Sequence, residues 1–164
     1  MKPTQHRAAP EALLRRLAMA GDIPSINGLV DAGNLVSIRY AIPVAVFDLA
    51  GVAVPVEVRF ATGEERFTDL GSDEAVAPEP GEVVFADREG VVAARRWCWR
   101  QSRESATDAT TTEVLIVVEG HHAAAAADVD AALADLDRLL RAHQPGCRLS
   151  AHRLTPVAPR DGGA

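Results

Sequence analysis

Between Ile23 and Leu49 the chain runs IPSINGLVDAGNLVSIRYAIPVAVFDL, and few folds can satisfy that stretch. At helical spacing Ile26, Leu29, Gly33, Val36 and Tyr40 fall on one face. Asn27, Asp31 and Asn34 make a narrow polar line on the opposite side. Pro43 disfavours helical backbone at Ile42, so the helix must stop near Tyr40. The residues that follow, PVAVFDL, are small and β-branched and predict a buried strand. One helix therefore feeds straight into a core strand, and the rest of the chain has to cover both.

The flanking segments supply the cover. Pro10 at a first helical position, with Glu11 in the first turn, opens a helix through Met19 that Gly21 ends. Its apolar side is Leu13, Leu14 and Leu17, and Arg15 and Arg16 face outward. Beyond the core strand, Val54, Val56, Val58 and Phe60 alternate with Pro55, Glu57 and Arg59, the mark of a half-buried strand. A turn at Thr62-Gly63 and a short strand from Arg66 to Leu70 predict a hairpin. Gly71 to Gly81, with Pro78 and Pro80, is loop. Glu82 to Ala86 is a strand, the turn Asp87-Arg88-Glu89-Gly90 follows, and a long strand is expected from Val91 to about Gln101.

A polar connector, Ser102 to Thr112, leads into the apolar strand Val114 to Val118. From about Asp128 to His143, Val129, Leu133, Leu136, Leu139 and Leu140 repeat at helical spacing with Asp135, Asp137 and Arg138 outward. Cys147 to Leu154 is expected as a last strand. Helices at both ends and hairpin-connected strands between them indicate an α+β single domain over residues 8–155, with a mixed or antiparallel sheet and flanking helices. Residues 1–7 and 156–164 are expected to be flexible tails.

Composition limits the function. With no run near the roughly 18 apolar residues of a membrane span and no apolar signal core behind Lys2, His6 and Arg7, membrane insertion and secretion are not expected, and the cytoplasm is the default. Cys98 and Cys147 have neither metal spacing nor a CxxC partner and are expected as free, buried thiols. A net charge of −6 opposes non-specific binding to nucleic acid, DNA included, since phosphate contacts need clustered Lys and Arg. The arginines do cluster in one place.

That place is Arg95-Arg96-Trp97-Cys98-Trp99-Arg100-Gln101-Ser102-Arg103, which gathers four arginines around the only two tryptophans. In a strand, Arg95, Trp97, Trp99 and Gln101 would share one face, and Arg96, Cys98 and Arg100 the other. Guanidinium groups can fork onto phosphates, and indoles can accept the unstacked terminal base of an RNA. The competing reading buries the tryptophans as anchors and pairs the arginines with Glu82 and Asp87. His121-His122 after Glu119 marks a surface turn, because adjacent histidines point apart and no third metal ligand is placed. Thr110 to Thr112 could hold a ribose or simply cap a strand entry, and Asn27, Asp31 and Asn34 could border a cleft or face water.

Several blocks in order carry a family likeness. They are the N-x-x-V-D-x-x-N-x-V helix with its proline and F-D, PEALLRR at 10–16, RFATGE at 59–64, PGEVVFAD at 80–87, ARRWCWRQS at 94–102 and T-x-x-V-L at 111–115. Together they resemble the tRNA-binding and editing domain (B3/4) of the phenylalanyl-tRNA synthetase beta chain, and more closely its free-standing bacterial forms. Longer relatives have an additional N-terminal segment that is expected to be missing here. The resemblance implies an aminoacyl-ester hydrolase scaffold acting on a tRNA acceptor end, with no cofactor and no metal. It implies Arg95, Arg96 and Arg100 on phosphate or ribose, and Trp97 or Trp99 stacking. Asn34 and Thr111 would hold the ligand, and Glu119 would orient water. Where the synthetase has a histidine in its core strand this chain has Ala45, and Glu119 lies two residues beyond the synthetase's glutamate, so the amino-acid pocket is expected to differ. The alternative is a non-catalytic module that uses the Trp/Arg segment for a small ligand or a protein.

Overall fold

A computed structural model describes residues 8–154, and the two expected tails lie outside them. Three helices, α1 (Ala9–Ala20), α2 (Gly28–Tyr40) and α3 (Ala125–His143), accompany eight strands. These are β1 (Val44–Asp48), β2 (Val56–Phe60), β3 (Phe67–Thr68), β4 (Ala75–Val76), β5 (Val83–Asp87), β6 (Val92–Arg95), β7 (Arg100–Gln101) and β8 (Val114–Val118). The strand pairs are antiparallel, and a single isolated bridge, Arg66 with Val91, is parallel. The fold is α+β, as expected.

The layers follow from the period-2 geometry of the β1–β8 ribbon. Val44 pairs with Val118 and Val46 with Ile116. Val44, Ile116 and Val118 pack against a cluster of Val36, Ile42, Ala132, Leu136 and Leu140 from the helices. The alternate residues, Ala45, Phe47, Leu115 and Val117, point the other way onto Phe85, Ala93 and Ala94 of the sheet ordered β2-β5-β6-β7. Both faces of β1 are thus covered, which is why PVAVFDL carries no charge before Asp48. The far side of the four-stranded sheet is closed by Phe67 and Ala61 over Val84, Ala86 and Val92.

The helix-strand joint behaves as the sequence requires. Helix α2 ends at Tyr40, and Ala41 turns left-handed at φ 54° ahead of Ile42 and Pro43. The buried Ser37 hydroxyl donates to the Ile42 carbonyl at 2.8 Å and ties the turn to the helix. At the other end, Asn27 is the N-cap: its side-chain oxygen accepts from the Leu29 and Val30 amides at 3.1 and 3.0 Å. Asp31 accepts from the Ile26 amide at 2.9 Å and from the Ser25 hydroxyl. Two members of the predicted polar line therefore hold the helix start, and Ile26 lies outside the helix, exposed.

Four other expectations are overturned. The segment after Thr62-Gly63 does not pair back on β2. Instead β2 pairs with β5, and β3, inside the expected strand, pairs with β4, which lies in the stretch expected to be all loop. The cause is Glu65, only 4% exposed, whose carboxylate gathers the Thr62 and Gly63 amides, the Thr62 hydroxyl and the Arg59 guanidinium. Burial alone would raise its pKa, but these donors outweigh it and hold the carboxyl at about 2. The knot turns the chain away from β2. Second, Asp135 is not outward but 7% exposed, because Arg39 of α2 and Arg138 close over it where the two helices pack. Third, residues 147–154 form no strand; Arg153 returns to Asp130 along α3. Fourth, the apolar side of α1 is incompletely covered, with Leu14 and Leu17 exposed.

Candidate functional site

The predicted long strand through Gln101 is broken, and the break makes the site. Strand β6 stops at Arg95, residues 96–99 form a turn, and β7 resumes at Arg100, with Arg95 opposite Arg100 and Ala94 opposite Gln101. Arg96 and Trp97 both adopt left-handed backbone, at φ 52° and 62°. For non-glycine residues this costs about 1 kcal/mol or more each. The shared face predicted for Arg95, Trp97, Trp99 and Gln101 therefore does not exist.

Polar contacts on both flanks hold the strained turn. On one side Glu82 accepts two bonds from the Arg95 guanidinium, at 2.9 and 2.7 Å, and one from the Arg96 amide at 2.8 Å. The pair is largely shielded, at 12% and 13% side-chain exposure. The hydrogen bond from Arg95 holds the Glu82 carboxyl below its usual range. Arg95 also lies over the Phe67 ring, 5.2 Å from its centroid. On the other side the Trp97 indole N–H donates to Glu119 Oε2 at 3.0 Å, and the His121 ring meets Trp97 edge-on at 4.8 Å between centroids. Glu119 is anchored beyond the end of β8 by its own amide, which donates to the Pro43 carbonyl at 3.1 Å.

Beneath this turn lies a cavity of about 150 Å³. Its floor is α2 and β1: Gly33, Asn34, Val44, Ala45 and Val46. Its roof is Cys98, Trp99 and Gln101 of the turn and β7. Gly33 is what lets the helix lie so close to the strand, since a Cβ there would meet Val46 Cγ2 at 3.2 Å and Val44 Cγ1 at 3.4 Å. Gln101 is spent on structure, donating to the Val46 carbonyl at 2.7 Å and the Ser105 carbonyl at 2.8 Å. Among the described residues the half-buried Asn34 amide has no hydrogen-bond partner. Burial, then the charge of Glu119, pushes the Cys98 thiol up to about 12, so it remains protonated and is not a nucleophile at neutral pH.

The predicted site residues are distributed unevenly around this cavity. Asn34 and Trp99 line it, and Cys98, Gln101 and Ala45 join them. Arg96 is exposed, with its guanidinium 5.8 Å from the Trp99 ring centroid, and among the described residues it has no carboxylate partner. Trp97, 41% exposed, sits outside the cavity against Glu119. Glu119 does not line the cavity and borders it through Cys98. Arg95 faces Glu82, and Arg100 pairs with Asp69. Thr111 lies elsewhere, donating to Asp48 and accepting from the Asp108 amide at 2.9 Å. Asn27 and Asp31 serve the helix cap. The sequence reading passed over Gly33 and Cys98 as cavity residues, and neither type carries a signal of its own. Among the described residues no group of His, Cys, Asp and Glu could hold a metal.

The result is a three-layer α+β domain with a helix-strand floor under a strapped turn. The chain belongs to the B3/4 domain family, whose model matches residues 1–135. It is 34% identical over 80 residues to the phenylalanine–tRNA ligase beta subunit of Shewanella oneidensis, which is 49% of this chain and 10% of that protein. It is 42% identical over 83 residues to the same subunit of Anaeromyxobacter dehalogenans, and 38% identical over 89 residues to that of Geobacter metallireducens. The chain thus spans about a tenth of the length of these relatives, 10% to 11%.

Proposed function

We propose that this chain is a tRNA-binding domain, working in the cytoplasm over residues 8–155, that takes an aminoacylated acceptor end at the cavity mouth. Hydrolysis of a misattached aminoacyl ester in trans is its proposed activity. The observation that carries the reading is the pairing of an uncommitted guanidinium, Arg96, with the half-buried Trp99 ring, which lines the same cavity as an unpartnered Asn34 amide. A phosphate or ribose would meet Arg96, with Arg100 following once it exchanges Asp69 for a phosphate. The terminal adenine would stack on Trp99, or on the exposed Trp97, and the amino-acid side chain would enter the cavity toward Asn34 while the α-amino group stays at the mouth. Asn34 offers an N–H donor for an oxyanion, and Glu119, through the carboxylate oxygen that Trp97 leaves open, would orient the attacking water.

The test is release of labelled amino acid from a panel of mischarged tRNAs. Release faster than in buffer for at least one member is expected, and equal rates across the whole panel end the enzyme reading. One observation favours a non-catalytic module instead: Glu119 is held by Trp97 and lies outside the cavity. Filter binding of bulk tRNA across salt concentrations separates the two, because an RNA binder weakens steeply as salt rises.

A further inference from the structure

The cavity wall sets a limit on what can enter. None of its lining residues carries a charge. We infer that the aminoacyl group taken here has a neutral side chain no larger than about a benzene ring. This rests on the acceptor-end reading above and adds the substrate class to it.

Size comes from the floor and roof together. A volume of about 150 Å³ is that of a cavity that holds benzene, so roughly six non-hydrogen atoms fill this one. The floor cannot recede, because Gly33 already lies against Val44 and Val46 with less room than one added methyl group needs. Phe47, beside Val46, is fully buried and rooted in the core. The roof is held at its base by the shielded Glu82 carboxylate, through the Arg95 guanidinium and the Arg96 amide.

Charge is excluded by the same wall. An ammonium or carboxylate entering would leave water and meet valine, alanine, a thiol and the neutral amides of Asn34 and Gln101, with no counter-charge in the wall to offset its lost hydration. Glu119 is the nearby carboxylate, and the Trp97 indole occupies one of its oxygens. A neutral hydroxyl can be accommodated, since the Asn34 amide both donates and accepts. Valine-, leucine-, serine- or threonine-like side chains fit this description. Lysine, glutamate and tryptophan do not.

Binding, rather than turnover, tests the selectivity. The probes are 3′-amino-3′-deoxyadenosine amides of valine, leucine, lysine, glutamate and tryptophan, whose amide replaces the labile ester. Titration of the full chain is expected to show the valyl and leucyl probes binding at least tenfold more tightly than the other three. In the Ala45→Glu variant the lysyl probe should gain at least tenfold on the leucyl probe. The wild-type ranking decides the matter even if that variant fails to fold. Discrimination below tenfold in the wild type, or no probe binding while bulk tRNA is still retained on filters, overturns the inference and leaves the acceptor-end reading standing. If neither probes nor tRNA bind, both fall.

Discussion

The floor and the roof of the cavity are built by opposite means. The floor is regular structure, with β1 buried on both faces, Phe47 fully enclosed and α2 capped at both ends. The roof is a four-residue turn with two non-glycine residues in left-handed backbone, held by two carboxylates. The floor gains its stability from apolar burial, which is insensitive to salt and pH. The roof depends on a few polar contacts, some near solvent, which are individually weak and can be exchanged. A site that must admit a ligand and then hold it needs one part of each kind.

Removing the floor should have the largest effect. Phe47→Ala deletes a ring that packs on Phe85 at 5.7 Å between centroids and should cost about 3–5 kcal/mol, read as a fall in the urea midpoint of global unfolding. A cost below about 1 kcal/mol would show that the floor is not the rigid part.

Acid should have the next largest effect, through the carboxylates around the sheet. Glu65 titrates at about 2 in the folded chain against an ordinary value of 4.5, so its contribution is complete above about pH 4.5. It is lost as pH falls through the folded value. Glu82, also lowered, acts in the same direction. Glu65→Gln should lose roughly 2 kcal/mol at pH 7, discounting for solvent at Arg59, and show a flatter stability profile between pH 5 and pH 2.5. Parallel profiles for variant and wild type would remove Glu65 from this role.

A smaller change should loosen the roof alone. Trp97→Phe leaves an aromatic ring in place of the indole and removes the N–H to Glu119, at a cost of about 1 kcal/mol. Amide exchange should accelerate at Cys98 and Trp99 while β1 and β8 remain protected. Equal acceleration in both halves would mean that floor and roof move as one. The smallest effect on the fold belongs to Arg96→Ala, which should leave melting unchanged. It should reduce the salt dependence of tRNA binding by about one phosphate contact.

How much of this was legible in the sequence depends on whether the cause was local. Pro43 after an amphipathic run fixed the α2–β1 joint, and the uninterrupted VLIVV fixed β8. The partner of β2 was not legible, because it depends on Glu65 collecting donors from its own turn, which alternation of apolar residues does not reveal. The turn at 96–99 was missed because neither Arg nor Trp advertises left-handed backbone as Gly or Asn would. Asn27, Asp31 and Asn34 looked equivalent by spacing. Only the start of the helix, two residues later than Ile26, separates the capping pair from the amide left facing the cavity. Asp135 looked solvated on its own helix, since its burial requires Arg39 from another.

Both tryptophans of the chain lie in the turn above the cavity. Their emission therefore reports on that one place and on nothing else in the molecule. Wild-type protein carries its own optical probe at the site entrance, with Trp97 beside a carboxylate and a histidine and Trp99 beneath a guanidinium. Ligand entry can be followed by spectral shift or quenching without attaching a dye.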